Sequence, residues 1–260
     1  MKIITWNVNS IRTRLERILG VLDRHKPDAL CIQETKVQDE DFPHDAFREI
    51  GYQAAIHGQK TYNGVALISR EPMEDICFGF EGNPAPEHAR VISGTLRGIR
   101  IINVYVVNGK EKGTPHYDLK LRWLDGLNHW LQAQHTPEQE VLVLGDFNII
   151  PEERDCWDPE YWKDRIFRSE PELNQLQRLL DWGLHDLFRK HHEENEQYTW
   201  WDYRGGSFPR GYGLRIDLAL GTQKLWERCN GAEIDRDERK KGKWVAKPSD
   251  HAPFVVTFAS

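Results

Sequence analysis

The sequence predicts a layered α/β sandwich with mixed sheets. Short Val- and Ile-rich apolar runs recur along its 260 residues, separated by Gly-containing turns. Two longer segments show helical spacing instead, and the two kinds of segment alternate in places but cluster in others. A purely parallel, doubly wound sheet would alternate throughout, so the clustering favours mixed sheets. With 39% hydrophobic residues, the chain suffices for one large α/β domain or two small ones.

The elements follow in order. Residues 2–8 read as a buried strand, followed by a helix on which Ile11, Leu15, Ile18, Leu19 and Leu22 share one face behind Ser10 as N-cap. Residues 28–33 form a second strand. Further strands are predicted at 52–57, 64–69, 90–96 and 100–107. Leu121, Leu124, Leu127, Trp130 and Leu131 mark an amphipathic helix over 117–134, which leads through Thr136-Pro137 into a strand at 141–144. Residues 151–170 look irregular, with Pro151, Pro159 and the aromatics Trp157, Tyr161, Trp162 and Phe167; so long a loop is often functional and is placed beside a cleft. Residues 236–247 are basic and read as a solvated loop, and 254–258 is a final strand. No linker, repeat or low-complexity run interrupts the chain.

Composition excludes several functions. A net charge of −6 argues against holding nucleic acid by bulk attraction, so any such contact must come from a local patch. Cys31, Cys77, Cys156 and Cys229 are far apart, without zinc or C-x-x-C spacing, and read as reduced thiols. No signal-peptide pattern or membrane-length apolar run is present, so a soluble, cytoplasmic protein is expected. Walker, H-E-x-x-H and EF-hand patterns are missing as well, which leaves nucleotide hydrolysis, zinc proteolysis and calcium sensing unsupported.

The chemistry gathers at strand ends. Gly145-Asp146-Phe147-Asn148 follows an apolar strand, and strand alternation lets Asp146 and Asn148 project to one side while Phe147 packs on the other. Glu34 closes the run Leu30-Cys31-Ile32, and Asn7 and Asn9 end the first strand. Three strands delivering oxygen ligands suit a hard cation such as Mg²⁺. Arg215-Ile216-Asp217 and Ser249-Asp250-His251 add a carboxylate, a second carboxylate and an imidazole near strand boundaries.

Thr5-Trp6-Asn7-Val8-Asn9, Ile32-Gln33-Glu34-Thr35-Lys36, Leu144-Gly145-Asp146-Phe147-Asn148, Leu214-Arg215-Ile216-Asp217 and residues 248–253, Pro-Ser-Asp-His-Ala-Pro, together resemble the ordered motifs of the exonuclease III and apurinic endonuclease family. Gly58-Gln59-Lys60 and residues 200–204, Trp-Trp-Asp-Tyr-Arg, are similar too. The resemblance implies a deoxyribonuclease I-like, four-layer α/β sandwich of two packed mixed sheets flanked by helices, occupying 1–260 as a single domain. It implies Mg²⁺, with Mn²⁺ as a substitute, held by Glu34 with Asn7 and Asp250 nearby and with Asp146 and Asn148 at the metal site.

The same resemblance implies roles. Asp146 would orient or deprotonate the attacking water, Asn148 would hold water or phosphate, Asp217 would fix the tautomer of His251, and His251 and Tyr105 would contact the phosphate. Lys60, Arg90, Asn108, Lys120 and Arg122 are candidate DNA backbone contacts. Trp200, Leu214 and Ile216 are expected to wall a pocket for a baseless sugar, with Phe167 at its mouth.

The implied protein is a monomeric, cytoplasmic and nucleoid-acting repair phosphodiesterase. Its substrate would be double-stranded DNA with an abasic site or a blocked 3′ end, with possible 3′→5′ exonuclease action and no membrane role. The alternatives are another phosphodiesterase of the same superfamily, acting on phosphoinositides or non-specific DNA, and a DNA-binding protein without catalysis. Val107 stands where many relatives carry proline, and the aromatic segment around Phe167 leaves the balance of activities open.

Overall fold

The computed structural model describes residues 1–242 and 244–259. The chain opens with β1 (Lys2–Asn7), α1 (Ile11–His25) and β2 (Ala29–Gln33), then runs through α2 (His44–Arg48) into β3 (Gln53–His57) and β4 (Val65–Ser69). Next come β5 (Glu74–Phe78), β6 (Val91–Leu96), β7 (Ile99–Tyr105), the long α3 (Pro115–Gln134) and β8 (Val141–Asp146). After the short α4 (Pro159–Trp162) follow α5 (Glu170–Asp181), β9 (Leu184–Asp186), β10 (Trp200–Trp201), α6 (Ser207–Arg210) and β11 (Gly213–Leu214). The chain ends with β12 (Asp217–Thr222), α7 (Gln223–Arg228), β13 (Cys229–Ile234) and β14 (Phe254–Phe258).

These strands form two six-stranded mixed sheets, ordered β13-β14-β1-β2-β4-β3 and β5-β6-β7-β8-β12-β9, with a small β10-β11 ribbon beside them. β1 runs parallel to β2 and β7 parallel to β8, while the other neighbours are antiparallel. Period-two alternation then sorts the side chains into layers. Ile3, Cys31, Leu67, Ile101, Leu142 and Phe254 fill the space between the sheets. Their neighbours Ile4, Ile32 and Ile68 meet Ile18 and Val21 of α1, and Ile102, Val143 and Leu220 meet Leu124, Leu127 and Leu179 of α3 and α5. Four layers result: helices, sheet, sheet, helices.

A polar bridge crosses the apolar interface. Gln33 Nε2 donates to Asn103 Oδ1 at 2.7 Å and to Thr5 Oγ1 at 2.9 Å, while Asn103 Nδ2 donates to the carbonyls of Ile32 and Ala66. Buried amides are costly unless paired, so this network ties the register of one sheet to the other. It does so one residue before Glu34 and two before Tyr105.

Several sequence expectations change. Ser10 makes no side-chain cap; its φ of 90° turns the chain into α1 instead. β5 went unforeseen because its edge position leaves an exposed, non-alternating pattern. α5, which the sequence reading left out, begins at the last residue of the segment read as irregular, and its start carries a reciprocal capping box between Ser169 and Glu172.

The basic stretch after Arg236 is packed rather than solvated where it meets α1. Arg17, fully buried, donates to the carbonyls of Glu238, Lys240, Lys241 and Ala246, and Arg239 donates to those of Ser249 and Trp201. Within the described residues, no helix is long and apolar enough to cross a membrane.

Candidate active site

The ends of five strands meet at one edge of the sandwich. In sheet register, Tyr105 at the end of β7 lies beside Asp146 at the end of β8, and Asp146 lies opposite Asp217 at the start of β12. In the other sheet, Asn7 ends β1 opposite Gln33 of β2, so Glu34 follows at the same level. Gly145 makes the turn-in possible: at φ 141°, a Cβ there would sit 1.9 Å from the Val104 carbonyl oxygen. Asn148 is held left-handed at φ 49°, and Asp146 Oδ1 accepts its backbone N–H at 3.0 Å.

Side chains from both sheets then join. Asn7 Nδ2 donates to Glu34 Oε1 at 2.8 Å and to Asp146 Oδ2 at 3.0 Å. His251 shares a proton between Nδ1 and Asp217 Oδ2 at 2.8 Å, and its Nε2 lies 3.8 Å from Asp146 Oδ2. The Trp6 indole and the Ser249 hydroxyl hold the surrounding chain, donating to the carbonyls of His251 and Asn7. Asp250 accepts from Asn9 Nδ2 at 3.0 Å and Trp200 Nε1 at 3.1 Å. Lys36 joins the two acids: its ammonium lies 2.8 Å from Glu34 Oε2 and donates to Asn9 Oδ1, the partner amide of Asp250.

The electrostatics follow from burial. Burial pushes the Asp146 carboxyl up to about 7, helped by Asp217 and Glu34 and opposed by His251 and the Asn7 amide. Burial alone would lower His251, but Asp217, Asp146 and Asp250 override it and push it up to about 10. The phenol of Tyr105 is held well above its ordinary value by burial and by Glu34, so it stays a hydrogen-bond donor. Asp250 stays below the usual carboxylate range despite burial, through His251 and its two donors.

The donor set fits a divalent ion. Asp146, Asp217 and His251 bring ligand atoms within 4.8 Å of one another, and Glu34, coupled to Asp146 through Asn7, carries its own counter-cation in Lys36. Carboxylate and amide oxygens are the ligands a hard cation prefers. Asp217 occupies His251 Nδ1, which leaves Nε2 as the ring atom that faces Asp146.

The remaining expected residues divide. Arg90 lies over the Tyr105 ring at 4.5 Å and donates to the Tyr105 carbonyl, so it braces that side chain at the cleft. Asn108 is exposed and donates to Asn148 Oδ1 at 3.0 Å. Lys60 and Arg122 are exposed, Arg122 on the outer side of α3. Leu214 and Ile216 are buried in one cluster against which Phe167 and Trp200 pack.

Lys120 is the exception. It is fully buried, pairs with Glu172 and donates to the Asn148 carbonyl, so it cannot reach a DNA backbone. Glu172 was missed in the sequence, although Ser169-x-x-Glu172 before a leucine-rich run carries the capping-box signal.

The profile of the Endonuclease/Exonuclease/phosphatase family matches residues 4–251. The chain belongs to that family. Among its curated relatives, exodeoxyribonuclease III of Haemophilus influenzae is 33% identical, over 99% of this chain and 100% of the relative. Solved members of the family are closer still in shape. A 3′ phosphatase from Neisseria, bound to a product DNA hairpin, is 40% identical with a TM-score of 0.94 and full coverage of both chains. An AP endonuclease from Archaeoglobus fulgidus is 39% identical, also with a TM-score of 0.94 and full coverage of both. The fold shared with these structures is the deoxyribonuclease I-like sandwich expected of the family, and its exonuclease III and AP endonuclease branch is the one this chain joins.

Proposed function

We infer that the protein is a DNA-repair phosphodiesterase that depends on a divalent cation and hydrolyses the DNA backbone at abasic sites and blocked 3′ ends. One observation carries the reading: Asn7 from one sheet contacts Glu34 and Asp146, while His251, paired to Asp217, faces the same Asp146 oxygen. On this reading a metal ligand, a general base and a phosphate donor share that place.

Glu34, with Asn7 and Asp250 nearby and Asp146 and Asn148 bordering, would hold Mg²⁺, for which Mn²⁺ would substitute. When bound, the ion supplies charge neutralisation at the phosphate and at the departing 3′ oxygen. Asp146, pushed up to about 7, is matched to taking a proton from water near neutral pH. His251 keeps its proton, and its Nε2 is free of Asp217 to donate to a phosphate oxygen. The Tyr105 phenol donates to the same group, and the Asn148 amide orients the water beside it.

Trp200, Leu214 and Ile216 would wall the pocket for a baseless sugar, with Phe167 at its mouth; Lys60, Arg90, Asn108 and Arg122 would position the duplex. The named activities of the relatives, 3′ phosphatase and AP endonuclease, support both arms of the reading. The chain would act as a one-domain monomer in the cytoplasm, at the nucleoid.

The test is a panel of duplexes carrying an internal abasic site, a 3′-blocked nick or a plain recessed end, assayed with Mg²⁺ and with chelator, beside a phosphoinositide. Metal-dependent cleavage of the DNA substrates alone supports the reading. Turnover of the phosphoinositide, or DNA binding without cleavage, would replace it.

A further inference from the structure

Asn148 and Phe167 are among the cleft residues whose backbone conformations most side chains resist. Asn148 sits at φ 49° and Phe167 at φ 73°, both left-handed. For an aromatic residue this is a strained arrangement, which persists only where the surroundings enforce it. Both are held by the same buried pair. Lys120 Nζ donates to the Asn148 carbonyl at 2.6 Å and to Glu172 Oε1, and that same Oε1 accepts the Phe167 N–H at 3.1 Å.

The surrounding bonds close the unit. Glu172 Oε2 accepts from the Ser169 N–H and hydroxyl, Ser169 Oγ meets the Tyr117 hydroxyl, and the Ile150 N–H donates to the Phe167 carbonyl at 2.7 Å. The Lys120 ammonium also lies 5.1 Å from the centre of the Phe167 ring. Both charged side chains are fully buried. Capping α5 needs only a Glu172 carboxylate; it does not need a desolvated lysine, whose burial a packed apolar residue would avoid. The lysine instead connects the catalytic turn to the aromatic segment.

We propose that the buried Lys120–Glu172 pair is a positioning and specificity-determining element of this cleft, setting the Asn148 turn and the Phe167 side chain together. The proposal rests on the function inferred above. Loosening the pair displaces the amide from the reacting water and frees the aromatic ring from the pocket mouth. Turnover at a 3′ block then falls while the penalty on an internal abasic site relaxes.

The experiment compares wild type, Lys120→Met, Lys120→Arg and the charge-free double variant Lys120→Met/Glu172→Leu. The double variant strands no buried charge, and so keeps the test open if the single one fails to fold. Each is assayed well below its melting temperature on a 3′-blocked nick and on an internal abasic site, with Mg²⁺.

For Lys120→Met and the double variant, kcat at the nick is expected to fall about tenfold or more with KM changed less than about threefold, as for a lost positioning contact. The ratio of abasic incision to 3′ trimming rises about fivefold, and in a Phe167→Gly background the same changes leave it unmoved, because the gate is already gone. Lys120→Arg restores most of the kcat. Variants that lose melting temperature but keep the parental kcat and ratio overturn the proposal and leave the pair a structural cap. A wild type that cleaves neither DNA instead overturns the functional reading beneath it.

Discussion

His251 and Asp217 lie 2.8 Å apart, both buried, and they approach from different sheets. Asp217 stands on β12, whereas His251 precedes β14. Their contact therefore reports that the sandwich has closed correctly at its working edge. Asp217→Asn leaves shape nearly unchanged but supplies an amide where a carboxylate held the imidazolium. Turnover is expected to fall by about two orders of magnitude or more, with DNA affinity retained, as for a lost preorganised group. His251→Asn should behave alike. Steady-state kinetics beside a binding assay on chelated enzyme check this, and unchanged kcat in either variant removes that residue from the mechanism.

The same pair dictates a pH response. The folded state raises His251 to about 10, above its ordinary value, so it favours the protonated ring. The stability it contributes is fully present below about 6.5 and is lost as pH rises through about 10. In chelator-treated protein, the melting-temperature advantage of wild type over Asp217→Asn is expected to shrink across that window. A gap that stays constant from neutral to alkaline pH contradicts it.

On the proposed function Glu34 would anchor the cation, and the Lys36 ammonium is its present counter-charge. Mg²⁺ should raise the melting temperature of wild type by mass action and leave Glu34→Ala unmoved. Cleavage in Glu34→Ala should drop by several orders of magnitude. Calorimetric scans with and without Mg²⁺ are decisive, since equal metal-induced shifts in both proteins place the ion elsewhere.

Phe167 stacks on Trp162 with ring centroids 5.9 Å apart and packs against the Leu214 and Ile216 cluster. Glycine adopts its φ of 73° without strain, so Phe167→Gly should preserve the backbone. Removing the ring should raise incision at an internal abasic site relative to trimming at a 3′ block, about tenfold. Equal ratios in mutant and parent discard this role.

Asn103→Leu tests the bridge between the sheets. It leaves one Gln33 N–H and two carbonyls short of a buried partner, with an expected cost of about 1–3 kcal/mol. Because Glu34 and Tyr105 lie just beyond the bridge, kcat should fall as well. Urea titration together with kinetics measures both, and a variant as stable as the parent shows that the apolar layer sets the register unaided.

The strand-end residues were legible because each follows an apolar run that ends in a polar side chain, as at Asn7, Glu34 and Asp146. Alternation told which way they point. What it could not tell was register: that Asp146 faces Asp217 across a ladder depends on pairing between segments some seventy residues apart. Lys120 was misread for a different reason. Its type suggested solvent, yet its spacing from Tyr117, Leu124 and Leu127 places it on the buried face of α3. Glu172 escaped with it, because each side of a buried pair looks unremarkable until the other is seen.

Arg17 gives up its guanidinium to four carbonyl oxygens of the stretch that leads to Asp250, and a fifth acceptor is the Glu238 carboxylate. Peeling that stretch away would maroon a cation in oil-like surroundings, so α1 and the run-up to Asp250 can part only at the cost of an unpaired buried charge.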